Sequence, residues 1–214
     1  MGKLYPGLTT IGITGTIGSG KSTVGKILQD LGIPVIDSDQ IVHNLLATDT
    51  DVQNQIVERF GNSVVLQNSA SKTKAIDRRA LGQVVFEDAQ KRAALEAILH
   101  PRVRAISRNE IEQLAKDSSV KLVACLVPLL FEANLGDEYD QTWTVITEPA
   151  VLKDRLKQRD NFSPAELEGR LASQWSQDKK ASLADERIDN SGDIGQTKEQ
   201  VLVLVDRLLQ ANPK

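Results

Sequence analysis

One short segment of the sequence combines glycines, a lysine and a serine at a spacing that suits phosphate chemistry. Gly15, Gly20, Lys21 and Ser22 follow the pattern glycine, four free positions, glycine, lysine and serine, which is the Walker A motif. Glycines allow backbone angles that other residues avoid, so successive N–H groups can turn toward phosphate oxygens at the positive end of a helix dipole. Because a strand pattern precedes the segment and a helix pattern follows it, we predict a nucleotide-phosphate site rather than an incidental glycine-rich turn.

The residues of this motif have separate expected roles. Lys21 can reach the β- and γ-phosphates of ATP, and the Ser22 hydroxyl can hold Mg²⁺. Thr23 can add a contact nearer the α-phosphate. With ATP as co-substrate, the predicted nucleotide-binding group is Gly18, Ser19, Gly20, Lys21, Ser22 and Thr23.

Two carboxylates, Asp37 and Asp39, follow a short run rich in branched residues that predicts a strand over residues 33–36. Ligands of open α/β folds collect at the carboxyl ends of their strands. One acid there can accept the proton of an attacking hydroxyl, while the other orients that hydroxyl or holds a magnesium-bound water. From this segment alone, the same residues serve equally well as caps of a helix that starts near Gln40.

Alternating strand and helix patterns must position these groups, and they predict an α/β fold with a mostly parallel, five-stranded sheet flanked by helices. The predicted strands are residues 8–14, 33–36, 122–127 and 142–147, with a short last strand at Ile188. Residues 51–117 are almost wholly helical by pattern and interrupt the alternation. Within them, the His100–Pro101 step predicts the end of one helix and the start of another.

Composition excludes several classes of protein. Lys and Arg number 26 against 29 Asp and Glu in 214 residues, a net charge of −3, so a nucleic-acid partner is not expected. Cys125 is the single cysteine and cannot form an intramolecular disulfide, which favours a cytoplasmic location. The longest apolar run, residues 122–131, is too short to cross a membrane. Oligomeric state is not set by any of these features.

The motif alone does not name the group that receives the γ-phosphate. The Asn-Lys-x-Asp signature for guanine is absent, and Asp189 begins an Asp-x-x-Gly sequence far too late in the chain for a GTPase. Three possibilities remain: a kinase of one particular small molecule, another nucleoside monophosphate or small-molecule kinase, and a non-catalytic ATP-dependent switch.

Six segments in a fixed order resemble the dephospho-CoA kinase family across residues 11 to about 192. They are residues 14–23 (TGTIGSGKST), 32–39 (GIPVIDSD), 77–81 (DRRAL), 99–101 (LHP), 127–132 (VPLLFE) and 184–190 (ADERIDN). The chain departs from the family pattern at three positions: Thr16 replaces the usual Gly, Ser38 the usual Ala, and Arg187 the usual apolar residue.

The resemblance implies transfer of the ATP γ-phosphate to the ribose 3′-hydroxyl of dephospho-CoA, giving CoA and ADP. It also implies a P-loop NTPase fold made of a nucleotide core (about 8–50 and 118–214), a helical CoA-binding insertion (about 51–117) and a small lid (about 155–180). By the motif match, Asp39 is the candidate general base and Asp37 its partner. His100 and Pro101 lie in the part expected to contact the acceptor.

Three further charged residues have two interpretations each. Arg155 and Arg159 lie four residues apart on one face of a predicted helix, near the predicted lid start at Ser163, where a guanidinium can neutralise the moving phosphoryl group. The same segment also resembles an ordinary solvated helix. Glu132 follows the apolar strand and could approach the Mg²⁺ site, although no clean acidic Walker B signature is present.

Overall fold

The central feature of the molecule is one parallel sheet of five strands. The computed structural model describes residues 4–66, 75–86 and 88–157 in full, the backbone of residues 158–159, and residues 169 and 171–210. The strands are β1 (Thr9–Thr14), β2 (Val35–Asp37), β3 (Leu122–Leu126), β4 (Gln141–Ile146) and β5 (Glu186–Asp189). They lie in the order β2-β3-β1-β4-β5, and every pairing is parallel. The predicted parallel α/β sheet is confirmed.

Burial explains why the central strands consist largely of β-branched and apolar residues. Every residue of β1 and of β3 is buried, as expected for parallel strands covered on both faces by helices. On β1, Gly12 leaves room for Tyr139, because a Cβ at that position would lie 2.6 Å from the Tyr139 ring. On the edge strand β5, Arg187 pairs in register with Thr144, so this departure from the family pattern does not interrupt the strand.

Helices account for most of the other described residues, and polar side chains fix several of their starts. Asp49, Asp77, Asp88 and Ser176 each accept a hydrogen bond from a backbone N–H at the start of a helix. The helices are α1 (Lys21–Asp30), α2 (Ser38–Thr48), α3 (Thr50–Phe60), α4 (Arg78–Phe86), α5 (Ala89–Leu114), α6 (Pro149–Arg159), α7 (Gln177–Leu183) and α8 (Ile194–Gln210).

Two compact units make up the chain. The first comprises Met1–Asp37 and Glu110–Lys214 and holds the sheet. The second, Ser38–Asn109, is helical, and Val52 and Ile56 are fully buried within it. The helical insertion expected from the sequence, residues 51–117, overlaps this second unit.

The prediction that the His100–Pro101 step ends a helix is wrong. α5 runs from Ala89 to Leu114 with Pro101 inside it. Proline removes the N–H that would bond to the carbonyl of Ala97 and usually costs a helix about 3 kcal/mol. Pro101 and Ala97 are both exposed, so water can solvate that carbonyl, and the helix continues.

The predicted lid start at Ser163 lies outside the described residues. Among the helices that the structure describes, none combines the length and apolar character that a membrane span requires.

Candidate active site

The loop between β1 and α1 carries the Walker A sequence, and its glycines are required by both conformation and packing. Gly15, Gly18 and Gly20 have φ angles of 152°, 79° and 99°, which L side chains rarely adopt. A Cβ at Gly20 would lie 1.8 Å from Asn190 Nδ2, and one at Gly15 would lie 2.6 Å from the carbonyl oxygen of Val145. We call the segment from Gly15 to Gly20 the phosphate loop.

The start of α1 is open to an anion. Gly20 occupies the N-cap position without a side-chain cap, and the first turn, fully within the described residues, contains no acidic residue. The helix dipole and the N–H groups of that turn therefore favour a negatively charged ligand. Lys21 Nζ donates to the carbonyl oxygen of Gly15 at 2.8 Å, so its ammonium lies back over the loop. The Ser22 side chain is exposed in the same turn.

Two hydroxyls of the phosphate loop are buried. The Oγ of Ser19 and the Oγ1 of Thr16 have no hydrogen-bond partner among the described residues. Polar atoms are rarely buried in this way without a partner. Together with the glycine cradle and the α1 N-terminus, they make the loop fit a phosphate ligand better than an apolar one.

Side chains from distant parts of the chain fix the phosphate loop through hydrogen bonds. We call Thr147, Asn190 and Thr197 the brace. The carbonyl oxygen of Ser19 accepts hydrogen bonds from Thr147 Oγ1 at 2.8 Å and from Asn190 Nδ2 at 2.9 Å. Thr197 Oγ1 in turn donates to Asn190 Oδ1 at 2.9 Å. Sequence reasoning placed Asn190 in a family-like segment but assigned it no role, because the bond joins residues 171 positions apart.

Arg155 contacts the brace in the structure. Its Nη2 donates to the carbonyl oxygen of Asn190 at 2.9 Å, and its Nη1 lies 3.4 Å from Thr147 Oγ1. A Cβ at Gly20 would lie 3.7 Å from Arg155 Nη1, so the guanidinium lies close to the end of the phosphate loop. Arg159 ends α6, and its side chain lies outside the described residues.

Glu132 makes an ion pair with a buried lysine. Lys180 is fully buried on α7, and its Nζ lies 2.8 Å from Glu132 Oε1 and 2.9 Å from Oε2. Burial lowers the pKa of Lys180, and the hydrogen bond and charge of Glu132 oppose that shift. Sequence reasoning singled out Glu132 but not Lys180, which follows another lysine in a polar segment and has no pattern that predicts burial.

The boundary between the two units in the sequence divides the acidic pair, with Asp37 in the first unit and Asp39 in the second. Asp37 ends β2 in register with Leu126 of β3, and β3 lies beside β1, so about 10 Å separates Asp37 from β1 at the usual strand spacing. Asp39 follows two residues later in the first turn of α2, which begins the second unit.

His100 and Pro101 lie in the middle of α5 in the second unit. Together with the Arg104 and Arg108 side chains they line a groove of about 570 Å³ along that helix. Arg104 and Arg108, one turn apart on α5, bring positive charge to this groove, and Glu96 one turn before His100 brings one negative charge to it.

The parallel sheet and the phosphate loop before α1 define a P-loop kinase fold. A family model described as dephospho-CoA kinase matches residues 9–196. A dephospho-CoA kinase of Symbiobacterium thermophilum is 44% identical over 191 residues, covering 89% of this chain and 77% of that protein. The chain belongs to the dephospho-CoA kinase family.

Solved structures agree with that assignment. A Thermus thermophilus protein of known crystal structure has a TM-score of 0.77 and 32% identity, covering 94% of this chain and 98% of its own. A dephospho-CoA kinase from Campylobacter jejuni has a TM-score of 0.67 and 27% identity, covering 95% and 98%.

Proposed function

We propose that this chain transfers the γ-phosphate of ATP to the ribose 3′-hydroxyl of dephospho-CoA, giving CoA and ADP, with Lys21 and Asp39 at the reacting groups. Family membership over residues 9–196 is the observation that carries the activity: the chain is an ATP-dependent kinase that acts on dephospho-CoA in coenzyme A biosynthesis. Another small-molecule kinase on the same fold is not favoured.

The phosphate loop supports ATP binding through its backbone. Its glycines hold angles that turn N–H groups inward, and the open N-terminus of α1 adds the positive end of a helix dipole. Lys21 Nζ exchanges its bond to the Gly15 carbonyl for the β- and γ-phosphate oxygens. Negative charge spreads over the γ-phosphoryl oxygens in the transition state, and the Lys21 ammonium, once bound to them, stabilises that charge.

Ser22 supplies the oxygen ligand for Mg²⁺ in this proposal. Its hydroxyl is a hard donor in the first turn of α1, directly after Lys21, and its exposure leaves it accessible to a hydrated ion. When bound, Mg²⁺ neutralises negative charge on the β- and γ-phosphates.

Asp39 accepts the proton of the 3′-hydroxyl, and Asp37 orients that hydroxyl. The first turn of a helix favours an ionised carboxylate, and a general base must be ionised. The reaction is an in-line attack, in which positioning contributes as much as proton transfer.

The α5 groove with His100 and Pro101 binds the acceptor. The positive charge of Arg104 and Arg108 on the same groove suits the phosphates of dephospho-CoA. In this proposal either Arg155 or Arg159 neutralises charge on the transferred phosphoryl group, and the Arg155 guanidinium also donates to the carbonyl oxygen of Asn190. The nucleotide core, insertion and lid keep the bounds given above.

We place the reaction in the cytoplasm, where a thiol such as Cys125 stays reduced, with dephospho-CoA as a small-molecule partner. The net charge of −3 supports no nucleic-acid partner.

An acceptor-stimulated kinase assay tests the function. ADP release from ATP is measured with dephospho-CoA, shikimate and nucleoside monophosphates, and the product is identified by its mass. We expect stimulation by dephospho-CoA and a product one phosphate heavier. Equal ADP release with and without dephospho-CoA, or preferential stimulation by another acceptor, would contradict the proposal.

The Asp39→Asn variant tests the general base. It should retain ATP affinity and lose roughly 10²- to 10⁴-fold in turnover, because only the proton acceptor is removed. Asp51→Asn is the matched control, since Asp51 also lies in the first turn of a helix in the second unit. Near-normal turnover of Asp39→Asn would remove Asp39 from this role.

A further inference from the structure

One buried ion pair lies at the end of β1, directly before the phosphate loop, and has no part in the chemistry proposed above. Lys180 is the one charged residue that is fully buried among the described residues. Its Nζ donates to Glu132, to the carbonyl oxygen of Pro128 at 2.7 Å and to Thr14 Oγ1 at 3.3 Å. An ammonium has three N–H donors, so each of them has an acceptor.

A buried ion pair of this kind is weak evidence for stability. Removing two charges from water costs several kcal/mol per ion, and well-packed apolar residues often serve the fold equally well. The position of the pair therefore matters more than its strength. It joins three separate segments: the end of β1, the turn after β3, and α7.

Two short connections link the pair to the phosphate loop. Thr14 directly precedes Gly15, whose carbonyl accepts Lys21 Nζ at 2.8 Å. On the other side, Glu132 Oε1 accepts the backbone N–H of Trp175 at 2.9 Å. The neighbouring Gln174 accepts the N–H of Ile17, inside the loop, through its Oε1 at 3.0 Å.

We propose that Lys180 and Glu132 are positioning residues that fix the phosphate loop for nucleotide binding and phosphoryl transfer. They hold Thr14 at the start of the loop and Gln174 against its middle, so that Lys21 and the loop N–H groups keep one geometry. The kinetic part of this inference rests on the proposed function, whereas nucleotide affinity reports on the loop independently of any acceptor.

The positive charge of Lys180 is needed for this positioning role. A neutral amine has only two N–H donors and cannot serve Glu132, Pro128 and Thr14 together. Burial lowers the pKa of Lys180, and the Glu132 carboxylate opposes that shift. Glu132→Gln therefore favours the neutral amine while almost preserving the shape of the side chain.

Lys180→Met, Glu132→Gln and Thr14→Val test the proposal. Thr14→Val keeps the ion pair and the side-chain volume but removes the hydroxyl that links Lys180 to β1. The matched control is Asp140→Asn: Asp140 lies just before β4, and its carboxylate accepts from the N–H and Oγ1 of Thr10 at 2.9 Å each, near the amino end of β1. Each variant is measured by calorimetric titration with ADP, by kcat and KM for ATP, and by circular dichroism.

We expect Lys180→Met to lose about 10- to 100-fold in ADP affinity and in kcat/KM for ATP, because small displacements of a positioning group cost this much. Thr14→Val and Glu132→Gln should shift both quantities in the same direction. Asp140→Asn should lower the melting temperature but stay within about two-fold of the original chain in ADP affinity and in kcat/KM, since Asp140 contacts the end of β1 opposite to Thr14.

Two outcomes would overturn the inference. The first is a folded Lys180→Met chain whose ADP affinity and kcat/KM stay within about two-fold of the original. The second is an equal loss in Asp140→Asn, which would make the effect one of general stability. If Lys180→Met does not fold, Thr14→Val and the Lys180→Met/Glu132→Gln double variant decide by the same criteria. If the original chain binds ADP but phosphorylates no dephospho-CoA, the proposed function fails and the ADP comparison still decides this inference.

Discussion

Replacing Gly20 with alanine should destabilise the phosphate loop, and the same replacement at Gly32 separates the cost of the backbone angle from that of the steric clash. Gly20 and Gly32 both have positive φ angles, 99° and 79°. A Cβ at Gly32 would meet nothing within 4 Å, whereas one at Gly20 would lie 1.8 Å from Asn190 Nδ2. Gly32→Ala therefore reports the cost of the backbone angle alone, and Gly20→Ala adds a steric clash.

The expected costs follow from these contacts. An L residue in the left-handed region loses about 1–2 kcal/mol, which is the whole expected cost of Gly32→Ala. In Gly20→Ala, the amide of Asn190 must also leave the Ser19 carbonyl, now 2.9 Å away. Breaking a buried hydrogen bond and stranding its partners adds about 1–3 kcal/mol. Gly20→Ala should therefore cost roughly 2–5 kcal/mol in total.

Denaturant unfolding and calorimetric titration with ATP measure the two consequences. Gly20→Ala should lose more stability than Gly32→Ala and should lose most of its ATP affinity, whereas Gly32→Ala should bind ATP like the original chain. Equal stability losses in the two variants, or unchanged ATP affinity in Gly20→Ala, would refute the claim that Asn190 and the loop backbone are packed too tightly for any side chain.

Three further predictions test other parts of the molecule. Lys21→Ala should weaken both ATP affinity and turnover. If titration and steady-state kinetics show neither effect, Lys21 does not bind the phosphates of ATP. Pro101→Ala restores an N–H donor for the carbonyl of Ala97 and should raise the melting temperature, with an increase of up to about 3 kcal/mol in unfolding free energy; a lower melting temperature would show that the helix depends on the proline. Burial raises the pKa of the Cys125 thiol to about 12. At pH values between about 9 and about 12, the unfolded chain loses the thiol proton and the folded chain keeps it, so the free energy of unfolding should fall as pH rises. The fall should be less steep in Cys125→Ala. Identical pH dependence of the two melting temperatures would contradict this prediction.

The local pattern of the sequence was sufficient for the sheet and the phosphate loop. Gly15, Gly18 and Gly20 encode backbone angles within a few residues of one another, so their positive φ values follow from residue type and spacing. The β-branched residues of β1 and the apolar run of β3 likewise encode burial on both faces of a parallel sheet. Asp77 before α4 and Gly61 after α3 mark helix ends by side-chain and backbone chemistry that acts over one turn.

Local sequence rules predicted the wrong structure at Pro101. Proline disfavours a helix interior and also restricts the residue before it, so the His100–Pro101 step predicted a helix break. α5 nevertheless spans 26 residues with Pro101 inside it, because the carbonyl of Ala97 is exposed and water can solvate it.

The sequence by itself determined which residues could bind phosphate and in what order the strands and helices follow. Only the tertiary structure decided what holds them in place. The strand order β2-β3-β1-β4-β5 brings the ends of β4 and β5, with Thr147 and Asn190, against Ser19, and it places Lys180 beside Thr14 although 166 positions separate them. Such contacts have no local signature, because a hydrogen bond between distant residues depends on how the chain packs and not on the pattern around either residue.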